Sequence, residues 1–233
     1  NQLPVAGPVK IRRLLDNFGS AVNTLKESNS SLQRIQGIGP EAAKLITQWR
    51  DYADPAAELQ LAKERNIKIL TQEDEDYPLA LRDAYDAPIV IYVWGDLQEN
   101  DLHSVGVVGS RKLTYYGREA ARKFAFQLAG AGLTVISGLA RGIDTAAHEG
   151  AVAANGRTIG VLGSGLMQIY PPENLALAEK IAEGHGAIIS EFPLQTSPDR
   201  KTFPQRNRIV AHWSRALLVV ECPSRSGSLI TAN

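Results

Sequence analysis

Residues 105–112 read Val-Gly-Val-Val-Gly-Ser-Arg-Lys, an apolar run that ends in a glycine, a serine and two cations. A short apolar run without polar alternation is typical of a strand covered on both faces of a parallel sheet. The glycine lets a ligand approach the backbone closely, and the cations suit an anion. The stretch therefore predicts a buried strand whose carboxyl end opens onto a phosphate-binding turn.

The same pattern recurs along the second half of the chain, where apolar runs alternate with helix-patterned segments. The predicted strands are Val105–Val108, Leu133–Ile136, Thr158–Leu162, Ala187–Ser190 and Ala216–Glu221. Strands that alternate with helices form right-handed βαβ units. We therefore predict an α/β fold with an extended Rossmann-like, doubly wound, mostly parallel sheet.

The helix after the first of these strands has a four-residue apolar repeat. The repeat consists of Tyr116, Ala120, Phe124 and Leu128. Such spacing predicts that these four side chains pack on the sheet while the cations of the helix face solvent.

Residues 1–66 are strand-poor and helix-patterned, which predicts a small all-α domain before the sheet. Its Gly37-Ile38-Gly39 turn, with Pro40 opening the next helix, resembles SAM-like and helix-hairpin-helix domains. The turn could offer backbone N–H groups to a phosphate, or it could simply join two helices.

Residues 67–233 form the second predicted domain. Its lead-in segment, residues 67–103, has short strands at 67–70 and 89–94 around the acidic residues 73–76, which we expect to form a solvated loop.

Charge is distributed unevenly along a chain that is neutral overall. Residues 1–110 carry 11 Lys/Arg and 16 Asp/Glu, whereas residues 111–233 carry 14 and 9. The net charges are therefore about −5 and about +5, and a local positive field can steer an anion to the second half.

Composition argues against several classes of protein. Cys222 is the single cysteine, so it has no partner for an internal disulfide. The chain has neither an 18-residue apolar run nor a signal-peptide pattern, so we expect a cytoplasmic protein without a membrane segment. The four histidines are scattered, and no metal site or cofactor is expected.

Glycine, serine and arginine are concentrated in loops, most of which follow predicted strands. These loops are residues 109–112, 137–144, 163–165, 206–208 and 226–228. Several loops of this composition at one sheet edge suggest a polyanion site.

Motifs for enzymatic chemistry are poorly matched. The chain lacks the P-loop pattern Gly-x-x-x-x-Gly-Lys-Ser/Thr, and the turn at 106–111 does not fit a dinucleotide fingerprint. Asp144 and His148 are four residues apart and could form an acid–base pair. Asp144 could equally cap the helix, and His148 could pack against the sheet.

An ordered set of motifs along residues 67–233 resembles the DNA-processing protein A family, also called DprA or Smf. The set includes Val-Gly-Ser-Arg at 108–111, the dodecamer at 137–148, Ile-Tyr-Pro-Pro at 169–172, Phe-Pro-Gln-Arg-Asn-Arg-Ile-Val at 203–210 and Ser-Gly-Ser-Leu-Ile-Thr-Ala at 226–232.

The resemblance implies a protein that binds single-stranded DNA, protects incoming DNA and helps load the RecA recombinase during natural transformation. It also implies a homodimer without turnover chemistry. The DNA-binding residues it implies are Gly109, Ser110, Arg111, Lys112, Gly138, Arg141, Gly142, Gly163, Gly165, Lys201, Phe203, Arg206, Asn207, Arg208, Ser226, Gly227 and Ser228.

Two of these assignments have alternatives. Phe203 could stack on a base or pack in the core, and Arg208 could pair with Glu191 or Glu221 instead of DNA. The family usually continues with a further helix, a strand and often a winged-helix-like domain, so we expect the chain to be trimmed or naturally short.

The alternative function is that of a nucleotide-binding or nucleotide-hydrolysing protein related to the phosphoribohydrolases. Those enzymes carry Pro-Gly-Gly-x-Gly-Thr-x-x-Glu, whose Glu does the chemistry. The comparable segment here, residues 225–232, has no Glu after its glycine. The missing carboxylate favours binding over catalysis.

Overall fold

The computed structural model describes residues 2–3 and 7–222 of the chain. Five α-helices come first: α1 (Pro8–Phe18), α2 (Ala21–Thr24), α3 (Asn29–Leu32), α4 (Pro40–Thr47) and α5 (Pro55–Glu64). Next come β1 (Ile67–Thr71), α6 (Leu79–Arg82) and β2 (Val90–Gly95). The remaining strands and α-helices are β3 (Ser104–Val108), α7 (Tyr115–Gly130), β4 (Thr134–Ser137), α8 (Ile143–Ala153), β5 (Thr158–Leu162), α9 (Leu175–Lys180), β6 (Gly186–Ser190), α10 (Thr202–Trp213) and β7 (Ala216–Val219).

All seven strands belong to one sheet, in the order β1-β2-β6-β5-β4-β3-β7. The strands from β6 to β7 are mutually parallel, while β2 is antiparallel to both β1 and β6. This confirms the predicted α/β fold with a mostly parallel sheet. The predicted lead-in segment supplies the two strands that extend it.

The strand order reverses at β3, which has β4 on one side and the last strand, β7, on the other. Open α/β sheets bind their ligands at the carboxyl ends of the strands beside such a reversal. The turn after β3 is held to the chain after β7, because Ser110 N donates to the Glu221 carbonyl at 2.6 Å. The fold therefore predicts a ligand site at the carboxyl edge of the sheet, beside β3.

Helices cover both faces of the sheet. On one face, Ile209 and Trp213 of α10 pack in one cluster with Ile159 and Ile189 of the sheet. On the other face, α7 and α8 pack against β3 and β4 through alanines and valines. The near-continuous apolar strands follow from this coverage, since both faces exclude water.

The predicted packing face of α7 is wrong for its two aromatic residues, although Leu128 packs against the core cluster as predicted. Tyr116 and Phe124 are 77% and 46% exposed, and the buried residues of the helix are all small. Those residues are Gly117, Ala121, Ala125 and Ala129. Small side chains let α7 approach α8 closely, and a side chain added at Gly150 of α8 would collide with the α7 backbone.

The helical region before the sheet has its own core, which includes Leu14, Leu32 and Ile46. Gly37 has a φ of 88°, in the left-handed region that favours glycine, and α4 begins at Pro40 after the turn. The predicted turn is therefore present. Contact with DNA there and the domain boundary at residue 66 both stay predictions.

Two further expectations concern the surface. Residues 73–76 are all exposed, as predicted, and the Asp74 carboxylate accepts a hydrogen bond from Thr71 N at 2.6 Å. In the described part of the chain, no helix has the length and apolar character needed to cross a membrane.

Candidate nucleic-acid interface

Three of the predicted phosphate loops meet at the carboxyl edge of the sheet. Residues 109–112, 138–142 and 163–165 follow β3, β4 and β5, which run parallel. The first two loops are joined by a hydrogen bond from Ile143 N to the Ser110 carbonyl at 3.1 Å. Gly142 has a φ of 87° and packs against that carbonyl, so glycine is required at this junction.

Ser110 shapes the turn after β3. Its hydroxyl donates to the Lys112 carbonyl at 2.7 Å and accepts from Lys112 N at 3.1 Å, and the residue is only 8% exposed. The turn leaves the side chains of Arg111 and Lys112 exposed. Ser110 therefore shapes the turn from within. The side chains of Arg111 and Lys112 are the groups of this turn that a ligand can reach.

Two arginines and two aromatic rings form a continuous row along this edge. The Arg111 guanidinium lies 4.9 Å from the Phe203 ring centroid, and the Phe203 and Tyr170 centroids are 5.9 Å apart. The Arg141 guanidinium lies 5.8 Å from the Tyr170 centroid. We call these four residues the Arg–aromatic row. Guanidinium groups suit phosphates, and aromatic rings can stack on unpaired bases.

Each member of the row comes from a different part of the chain. Arg111 follows β3, Arg141 follows β4, Tyr170 lies between β5 and α9, and Phe203 lies in the first turn of α10. Phe203 is half-buried, and a Cβ on Gly163 would lie 2.8 Å from its Cδ1. The lack of a side chain at Gly163 therefore leaves room for the Phe203 ring beside the loop.

The sequence did not single out Tyr170 as a site residue. It is 37% exposed and lies between Phe203 and Arg141. The available signal was its position in the Ile-Tyr-Pro-Pro motif shortly after a glycine loop. Its closeness to Phe203 depends on tertiary packing and could not be inferred from spacing.

Arg141 is engaged by an acidic side chain. Its Nε donates to Glu173 Oε1, and its Nη2 donates to Oε2 at 3.1 Å. This pairing raises the pKa of Arg141 and lowers that of Glu173. Both side chains are about half exposed.

Arg206 lies beneath the loop after β4. It is 3% exposed, and its Nη1 donates to the Val161 carbonyl. Burial lowers the pKa of its guanidinium to about 10, against the opposing influence of Asp144. The structure thus places Arg206 directly under Gly138. A direct phosphate contact by Arg206 stays a prediction.

Asp144 holds the same loop from inside. Its Oδ2 accepts hydrogen bonds from Gly138 N at 3.1 Å and Ala140 N at 3.3 Å. Helix α8 begins at Ile143 after Gly142, so Asp144 lies in its first turn and is not its N-cap residue. Burial raises the pKa of this carboxyl group, and Arg206 opposes that effect.

His148 is fully buried and neutral. Its Nδ1 is 2.7 Å from Thr158 Oγ1, which itself donates to the Val135 carbonyl. His148 Nδ1 must therefore carry the proton that it shares with Thr158. Burial lowers the pKa of His148 to about 3. His148 therefore packs against the sheet, which was the second of the two alternatives predicted for it.

The other predicted residues occupy varied positions. Arg208 pairs with Glu191 and with Asp86, the latter at 3.4 Å, so the intramolecular alternative for Arg208 is present. Asn207 is half-buried in α10, and Lys201 is exposed just before that helix. Gly165 N donates to the Thr196 carbonyl at 2.8 Å. Ser226, Gly227 and Ser228 lie outside the described residues.

The sheet and its carboxyl edge define a class of protein: a Rossmann-like α/β protein with a basic, aromatic edge suited to a polyanion. The chain belongs to the DNA recombination-mediator protein A family, whose model matches residues 68–233. This confirms the resemblance seen in the motifs.

Relatives include the protein Smf of Synechocystis, 41% identical over 236 residues, covering all of this chain and 59% of the relative. The DNA processing protein DprA of Bacillus subtilis is 39% identical over 73% of this chain and 57% of its own length. The chain thus spans somewhat more than half the length of these two relatives.

Two solved structures of similar proteins share the fold. DprA from Streptococcus pneumoniae has a TM-score of 0.81 at 32% identity, covering 99% of this chain and 78% of that one. DprA from Helicobacter pylori has a TM-score of 0.63 at 30% identity, covering 71% and 74%, and that structure is described as showing its single-stranded DNA binding mode.

Proposed function

We propose that this chain binds single-stranded DNA as a DprA-type protein and does so without turnover. The observation that carries the proposal is the Arg–aromatic row at the carboxyl edge of the sheet. Its end arginines can bind phosphates, while the rings between them can stack on bases. Family membership and the described binding mode of the Helicobacter pylori relative support the same ligand.

The row favours a single strand over a duplex for a simple reason. Bases in a duplex are already stacked on each other, whereas an unpaired strand can turn its bases onto Tyr170 and Phe203. Base–aromatic stacking contributes about 1–3 kcal/mol per base and depends little on sequence. We therefore expect binding with weak sequence preference.

The buried groups nearby support binding over catalysis. His148 is buried and neutral, and Asp144 is occupied by two backbone N–H groups. A hydrolytic mechanism would need an accessible base or nucleophile. The nucleotide-hydrolysing alternative, related to the phosphoribohydrolases, is therefore less well supported.

The biological role is part of the same proposal. We infer that the protein protects incoming DNA and helps load the RecA recombinase in the cytoplasm, as a homodimer. The family description as a recombination mediator supports this role. Sedimentation velocity would test the dimer. A strand-exchange assay with RecA and single-stranded DNA, run with and without this protein, would test whether the protein helps to load RecA.

Binding is tested by fluorescence anisotropy of a labelled oligo-dT, with a duplex of equal length alongside. We expect salt-sensitive binding that favours the single strand. Tyr170→Ala and Phe203→Ala should each weaken binding of the single strand about 5- to 150-fold, following the stacking energies above. Tyr85→Ala is the matched control, since Tyr85 is 72% exposed between Asp83 and Asp86. Equal affinity for both DNA forms, or equal effects of all three substitutions, would contradict the proposal.

A further inference from the structure

Glu173 lies where a DNA phosphate would be expected to bind. Its two carboxylate oxygens accept from Nε and Nη2 of Arg141, which is the side of the guanidinium fork that also suits two phosphate oxygens. The pair lies at the end of the Arg–aromatic row, because the same guanidinium is 5.8 Å from the Tyr170 ring. A phosphate that used this fork would meet the carboxylate first.

The position of Glu173 is fixed by a buried neighbour. Glu173 belongs to a short 3-10 turn, Pro172–Asn174, whose last residue is 5% exposed. The Asn174 amide donates to the Leu139 carbonyl and to Thr145 Oγ1, both at 2.8 Å. Leu139 is in the loop that carries Arg141, so this buried amide ties the turn of Glu173 to the loop of its partner.

We propose that Glu173 is a built-in competitor for the nucleic acid: its carboxylate occupies the Arg141 fork in the unbound protein, and a phosphate of single-stranded DNA binds there by displacing it. This inference rests on the proposed function. In this role Glu173 sets the affinity for single-stranded DNA, and the Arg141 guanidinium is the group for which the carboxylate and the phosphate compete.

The exchange has a distinct consequence for salt dependence. A phosphate that meets a free arginine releases a condensed cation, which lowers the logarithm of the binding constant by about 0.7 per tenfold rise in salt for a single strand. A phosphate that displaces Glu173 also releases a cation, but the freed carboxylate attracts one in return. The contact at Arg141 should therefore add little to the salt slope while Glu173 is present.

The experiment is a Glu173→Gln substitution, measured by anisotropy with the labelled oligo-dT across a salt titration. Exposed ion pairs are weak, so removing the competitor should tighten binding about 2- to 5-fold at low salt. The salt slope should steepen by about 0.7. The unfolding midpoint in urea verifies that the variant is folded.

Two controls separate competition from general charge. Glu179→Gln removes an exposed carboxylate on α9, so it changes the net charge equally without touching Arg141. In an Arg141→Ala background, Glu173→Gln should give no gain, because the shared group is gone. A gain in the wild-type background that Glu179→Gln does not reproduce, and that Arg141→Ala abolishes, supports the proposal.

Other results overturn it. These are unchanged affinity and slope in Glu173→Gln, an equal gain in Glu179→Gln, or a gain that persists without Arg141. Failure of the wild-type protein to bind the oligonucleotide is a different result, because it refutes the proposed function itself. The two failures are thus distinguished by the wild-type titration.

Discussion

Arg111, on the turn after β3, and Arg206, in α10, have the same side chain, but their surroundings give them different roles. Arg111 is exposed on the turn after β3. We expect Arg111→Ala to weaken binding of single-stranded DNA and to lower the salt slope by about 0.7, the value for one lost phosphate contact. Its unfolding midpoint in urea should stay near that of the wild type. Normal binding at every salt concentration would remove Arg111 from the site.

Arg206 is buried, so its loss should act first on stability. Arg206→Met would remove the buried hydrogen bond to the Val161 carbonyl and the positive charge near the buried Asp144 carboxyl group, and we expect this to lower the free energy of unfolding by about 1–3 kcal/mol. Urea unfolding measures this loss, and Arg206→Met/Asp144→Asn should recover part of it. If Arg206→Met has wild-type stability but no longer binds DNA, Arg206 is a direct contact and its stabilising role is wrong.

At the scale of elements, the strands were predicted well and the packing of α7 was not. Apolar β-branched runs report burial on both faces directly, which is why β3 to β7 appear near their predicted positions. In α7 the aromatic repeat and the Gly/Ala repeat are adjacent on the helix, and hydrophobicity favours the aromatic one. The Gly/Ala repeat faces the protein because α8 lies close to α7, and small side chains fit between the two helices.

This packing predicts which of two neighbouring residues of α7 is sensitive to substitution. Ala125 is fully buried, so Ala125→Leu should overpack the contact with α8 and lower the free energy of unfolding by about 1–3 kcal/mol. Phe124 is 46% exposed, so Phe124→Ala should cost clearly less than the about 3–5 kcal/mol that is typical for a core phenylalanine. Urea denaturation of both variants checks the prediction. A larger loss for Phe124→Ala would restore the face predicted from the sequence.

The candidate site was also only partly predictable at this scale. Loops that follow parallel strands must meet at one edge, so the positions of Arg111 and Arg141 follow from the strand pattern. The place of Tyr170 does not, since it depends on how the segment between β5 and α9 packs near the first turn of α10. Burial of Arg206 likewise depends on the depth at which α10 lies under the β4 loop.

At the scale of the whole molecule, one sheet joins the acidic and basic parts of the chain. Strands β1 and β2 come from the first 110 residues, with net charge about −5, and β2 pairs with β6. The exposed acidic residues 73–76 follow the edge strand β1, while the Arg–aromatic row follows β3, β4 and β5. The resulting charge separation can guide a polyanion toward the row even though the chain is neutral overall.

Buried His148 makes the stability of the whole fold depend on pH. The pKa of His148 is lowered by burial to about 3, whereas an unfolded histidine has a pKa of about 6.5. Between these values the unfolded chain holds a proton that the folded chain does not. The free energy of unfolding should therefore fall as pH drops below about 6.5, by up to about 1.4 kcal/mol per pH unit. Above that pH, His148 adds no pH dependence to the free energy of unfolding.

His148→Gln should flatten this acid limb, and urea unfolding between pH 7 and pH 4 measures it. Asp144 acts with the opposite sign, because burial raises the pKa of its carboxyl group, but it is present in both proteins and its contribution largely cancels in the comparison. The exposed His103 provides the control, and His103→Gln should keep the wild-type slope. Parallel curves for the wild type and His148→Gln would show that His148 does not govern the acid limb, and that the fold accommodates a proton at this buried position.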